Sequence, residues 1–70
     1  MRAFYSTQKH LRTFILGTPE GWQITIYDLR KHEWLQRDGL KEDTLKQAKA
    51  TAQQQTASLF GGQTLEMKWH

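Results

Sequence analysis

Residues 11–29 read LRTFILGTPEGWQITIYDL, two β-prone runs around a Gly/Pro cluster. The first run, Leu11–Leu16, is short and mostly apolar. Gly17-Thr18-Pro19-Glu20-Gly21 follows as a turn cluster. Its two glycines can adopt positive φ, and its proline fixes one dihedral. The second run, Trp22–Leu29, alternates: Trp22, Ile24 and Ile26 share one face, while Gln23, Thr25 and Tyr27 share the other. Two such runs joined by a five-residue Gly/Pro loop predict a β-hairpin.

The elements on either side follow from that hairpin. Upstream, Arg2–Lys9 sets Phe4 and Tyr5 in a polar stretch, so residues 1–10 read as a short edge strand or a loose arm. Downstream, Arg30-Lys31-His32 is a polar connector. His32–Arg37, carrying Trp34 and Leu35, predicts a third strand that Asp38-Gly39 stops. A helix is predicted from about Thr44 to Phe60. Thr44 and Gln47 fit a capping box, and Glu42 and Asp43 favour the positive end of the helix dipole. Leu45, Ala48, Ala52 and Leu59 form a narrow apolar stripe interrupted by Gln55, and Gly61-Gly62 ends the helix. In Gln63–His70, Leu65, Met67 and Trp69 alternate with Thr64, Glu66 and Lys68, the pattern of a last strand with one wet face. The order is β-β-(β)-α-β. The expected fold is a single small α+β domain over residues 1–70: an antiparallel sheet of three to four strands with one helix packed on one face.

Seventy residues leave room for one small core, built from eight Leu, three Ile, three Phe and three Trp, with no Val. Burying each large side chain contributes roughly 1.5–3 kcal/mol, and chain entropy nearly cancels the sum, so modest monomer stability is expected. Three Trp are many for such a core: either all three are buried in it, or one that stays exposed marks a partner surface.

Composition also removes whole classes of chemistry. The chain has no Cys and no Asn, which excludes disulfides, thiolate metal sites and N-glycosylation. The longest run of large apolar residues is Phe14-Ile15-Leu16, too short for a helical membrane span. No secretory signal is visible, so a soluble, cytoplasmic domain without membrane partners is expected. His32-Glu33 begins like the zinc-protease pattern H-E-x-x-H, but Gln36 stands where the second ligand is needed. Neither Ser6 nor Ser58 sits in a nucleophile elbow. A phosphate cradle needs glycines between a strand and a following helix, whereas Gly61-Gly62 comes after the helix and reads as a stop signal. No catalytic, metal-binding or cofactor-binding residues are therefore expected.

Charge is uneven. The net charge is +3, and the whole excess lies in residues 1–19, which hold Arg2, Lys9 and Arg12 and no acid. From about Trp22 to Gln54, an aromatic hairpin strand W-Q-I-T-I-Y, a third strand and a helix from Thr44 to Ala52 loosely resemble the arm-type DNA-binding domains of integrases. The likeness implies a three-stranded sheet facing a DNA groove. These elements are generic, and Leu65–Trp69 departs from the pattern.

The leading expectation is a non-enzymatic interaction or regulatory module. It would meet another protein, or a second copy as a homodimer, through a sheet face or edge strand, using Tyr5, Tyr27, Trp34 and Arg37. The alternative is a nucleic-acid-binding domain using Arg2, Lys9, Arg12, Arg30, Lys31 and Arg37, with Tyr27 stacking on a base.

Overall fold

The computed structural model describes residues 2–70, and for residues 36–39 the backbone only. Four strands, β1 (Ala3–Gln8), β2 (Leu11–Thr18), β3 (Gly21–Asp28) and β4 (Glu33–Glu42), precede one helix, α1 (Leu45–Leu59). The strands form an antiparallel meander in the order β1-β2-β3-β4. This is the expected α+β class, with four strands where the integrase likeness implied three. No helix among the described residues is long and apolar enough to cross a membrane.

The strand-forming residues also sort the two faces. Ile15 pairs with Ile24, Thr13 with Ile26 and Leu11 with Asp28, so all six point to one side. That side is buried. α1 lies on it and presents Ala48, Ala52 and Thr56, whose small side chains let the helix approach closely. Phe4, Trp22, Leu45 and Trp69 pack round the Ile15–Ile24–Ala48–Ala52 centre. The Thr13 and Thr56 hydroxyls bond each other at 2.7 Å, which satisfies two polar groups inside the core.

Several elements differ from their sequence-based expectation, each for a local reason. Of the two readings of the N-terminal stretch, residues 3–8 take the strand and not the arm, because Phe4 faces Ile15 across the ladder and joins the core. The five-residue loop contracts to the two residues Pro19 and Glu20, since Thr18 still pairs with Gly21 and Gly17 with Trp22. Gly17 is needed for space: a Cβ there would lie 3.1 Å from Trp22 Cζ3 and 3.3 Å from the Arg2 carbonyl oxygen. The strand expected to stop at Asp38-Gly39 runs on to Glu42. It absorbs the extra residues in register shifts between Ile24 and Ile26 and between Ile26 and Tyr27.

The helix boundaries match expectation. Thr44 Oγ1 accepts from the Gln47 N–H at 3.1 Å. The return bond differs from the capping box: the Thr44 hydroxyl reaches the Gln47 amide oxygen at 3.2 Å. Gly61 and Gly62 take φ of 79° and 83°, and their N–H groups bond the carbonyls of Ser58 and Ala57 in a Schellman stop. Leu59 does not continue the buried stripe and is 49% exposed. Thr56 is the last buried position of the helix, and Phe60 instead meets His10 at this end, with ring centres 5.5 Å apart.

Residues 63–70 form no regular strand, a correction to the last strand expected there. The segment nevertheless runs antiparallel along the outer edge of β1. The N–H of Tyr5 bonds the His70 carbonyl at 3.1 Å, and the reverse bond is 2.9 Å. Nearer its start, side-chain amides hold the segment: Gln8 of β1 donates to the Glu66 carbonyl and Gln53 of α1 to that of Leu65. The predicted alternation survives, with Leu65, Met67 and Trp69 half-buried between exposed neighbours.

Candidate interaction face of the sheet

The second face of the sheet carries no helix. Strand periodicity and register assign it Tyr5 from β1, Arg12 and Phe14 from β2, Thr25 and Tyr27 from β3, and Trp34 from β4. Tyr5 lies opposite Phe14, and Phe14 opposite Thr25, while Arg12 lies opposite Tyr27 and Tyr27 opposite Trp34. The rings touch in sequence. Tyr5 and Phe14 have centres 6.4 Å apart, Phe14 and Trp34 5.8 Å, and Trp34 and Tyr27 4.9 Å in an edge-to-face pair. An aromatic band thus crosses all four strands. His70 lengthens it at the β1 edge, 5.5 Å from Tyr5.

Tyr5 and Trp34 remain 41% and 40% exposed. The other two Trp do not: Trp22 and Trp69 are partly buried against the core. Shallow depressions flank Trp34. One, of about 240 Å³, is lined by Arg12, Phe14, Tyr27, Leu29 and Trp34. Another, of about 300 Å³, is lined by Leu16, Gln23, Thr25 and Trp34. Thr25 Oγ1 is buried beside this second depression without a hydrogen-bond partner among the described residues.

Register assigns charged side chains to both faces: Lys41, opposite Gln23 on the open side, is ion-paired with Glu20. Asp28 pairs with Glu33 and Trp22 with Glu42, so by register these three carboxylates belong to the helix side. Glu42 accepts from Thr51 on α1. The open face instead holds Arg12, whose guanidinium carbon sits 5.1 Å from the Tyr5 ring centre and whose Nε donates to Thr7 Oγ1 at 2.9 Å. At the same end of the sheet two turns meet, because the Leu29 N–H bonds the His10 carbonyl and Arg30 approaches the His10 ring. This brings Arg30 and Lys31 to the end where Arg12 lies.

That end is held by Asp28. Its Oδ1 accepts from the N–H groups of Arg30 at 2.8 Å and Lys31 at 3.0 Å. The Lys31 N–H above all, then that of Arg30 and the charges of His10 and Arg30, hold the carboxyl below its ordinary 3.8 against the opposing effect of burial. At the far end, the 2.7 Å ion pair with Lys41 holds Glu20 below its ordinary 4.5. Both shifts have structural causes. Among the described residues, no three His, Asp or Glu side chains gather as a metal-ligand set.

Of the residues expected to contact a protein partner, Tyr5, Tyr27 and Trp34 come together on this face, and Arg37 lies outside the described side chains. The basic set divides. Arg12, Arg30 and Lys31 share one end, whereas Arg2 lies over Phe4 and bonds Gly17 through its carbonyl, near the other end of the sheet. Lys9 leans over Phe60 at the end of the helix. Phe14 and Thr25 were missed as site residues. Phe14 was detectable, because it alternates with Thr13 and Ile15 and must face away from them.

Comparisons with protein-family models, with curated proteins and with solved structures returned no match.

Proposed function

We propose that this chain is a small non-enzymatic interaction module that docks a macromolecular partner on the open face of its sheet. The observation that carries the reading is the Tyr5–Phe14–Trp34–Tyr27 band, contributed by four strands and left uncovered by the helix. Exposed aromatic side chains held rigidly by a sheet lose little entropy on contact and offer large apolar area, which is why such residues dominate interfaces. The flat, shallow surface suits a macromolecule better than an enclosed small molecule. The shifted carboxyls support a non-catalytic role, since both are engaged in holding turns and strand ends.

Photo-crosslinking in cell extract tests this reading. A benzophenone side chain placed at Trp34 should form adducts, and the same group at the exposed Lys46 of α1 should not. Adducts from Lys46 alone, or from neither position, would remove the open face as the docking surface.

A further inference from the structure

We infer that the partner of this face is a single-stranded nucleic acid; the inference rests on the docking role just proposed and assigns its occupant. Three features converge on it. The first is the band itself. Bases are flat and stack on aromatic side chains whatever their sequence, and a sheet that displays exposed rings on adjacent strands provides a platform for successive bases. Tyr5 and Trp34 are the two rings with the most open surface, and Phe14 joins them between the strands.

The second feature is charge complementarity. Asp28, Glu33 and Glu42 fall on the helix side by register, so β3 and β4 direct these carboxylates away from a polyanion lying on the open face. Arg12 stands within the band, and Arg30 and Lys31 lie in the turn at the same end of the sheet. None of the three forms an ion pair with a described carboxylate. Lys68 extends the positive rim along the β1 edge, in a groove shared with Tyr5, Arg12 and the His70 ring. Glu66 is the one acidic side chain among the described residues lining that groove. A guanidinium whose Nε is anchored on Thr7 beside the Tyr5 ring keeps its terminal nitrogens to meet phosphate oxygens.

The third feature is Thr25. A buried hydroxyl without a partner is costly. This one lies beside the depression under Trp34, within the band where a stacked base would rest. A polar edge of a base inserted beside Trp34 would supply the missing bond. An apolar protein partner would leave it unmet.

Duplex DNA is a poorer fit. Its bases are already stacked on one another, so the rings would gain no stacking partner from it.

The test is fluorescence anisotropy of a labelled oligothymidylate and oligouridylate of about ten nucleotides, with a duplex of equal length as control. The single strands should bind and the duplex should bind more weakly. Affinity should fall with rising salt at a log–log slope of about −2, from about three neutralised phosphates. Trp34→Ala and Tyr5→Ala should each weaken binding about tenfold. Arg12→Gln should make the salt slope shallower by about 0.7. Circular dichroism of each variant separates lost binding from lost fold. No anisotropy change at low salt, or binding indifferent to all three substitutions, overturns the assignment. Sedimentation velocity distinguishes this failure from failure of the docking role. Self-association abolished by Trp34→Ala, with no strand bound, would make a second copy the occupant and leave the docking role standing.

Discussion

Arg12 and Tyr5 form the hinge between the aromatic and the charged parts of the open face: the guanidinium carbon lies 5.1 Å from the ring centre, across adjacent strands. A cation–ring contact of this exposed kind contributes about 0.5–1 kcal/mol. Arg12→Ala should therefore lower stability by about that amount in urea denaturation, with the slope of the transition unchanged. A larger loss would mean that Arg12 serves the core rather than the surface.

The Thr13–Thr56 hydroxyl pair sits at the centre of the helix–sheet interface, and both residues are fully buried. Replacing one Thr with Val leaves the other hydroxyl unpaired, at a cost of about 1–3 kcal/mol. Replacing both should cost much less than twice that. A double-mutant cycle by chemical denaturation checks this, and additive losses would show that the bond carries no coupling.

Close approach of α1 to the sheet depends on Ala48 and Ala52, which have no exposed surface. Ala52→Leu should overpack the interface and cost about 1–3 kcal/mol. Trp34→Ala, on the opposite face, should leave the fold intact. Thermal unfolding followed by circular dichroism compares the two. If the order of damage reverses, the face carrying α1 is not the principal core.

Asp28 links stability to pH. Its carboxylate accepts two turn N–H groups, and its titration in the folded state lies below the ordinary 3.8. A depressed value means that the charged form is favoured by folding. The stabilisation is complete above the unfolded value and disappears as pH falls through the folded one. Asp28→Asn should be less stable than the parent at neutral pH, and the gap should close under acid conditions below the ordinary value. A gap independent of pH would show that the turn is held by shape and not by the charge.

Local patterns made much of this fold legible in advance. The alternation in Trp22–Tyr27 named both faces of β3 correctly, and Thr44 and Gly61-Gly62 marked the helix ends. What escaped depends on contacts distant in sequence. Gly17 looks like a turn residue until Trp22 is seen lying against it. Residues 3–8 read as either an edge strand or an arm until Phe4 reaches the core. The β4 register shifts leave no mark in composition, because an extra residue in a strand changes pairing without changing residue type. For the same reason Tyr5, Tyr27 and Trp34 could be named as surface aromatics, but only the register showed them as one band completed by Phe14.

The central claim, that the uncovered sheet face receives a single strand, is tested most directly by amide NMR of the isotope-labelled protein titrated with oligothymidylate. The expected result is shifts at Tyr5, Arg12, Phe14, Thr25 and Tyr27, and at the indole N–H of Trp34, while Ala48, Ala52 and Thr56 stay still. Shifts confined to α1, or none at saturating strand, would contradict it.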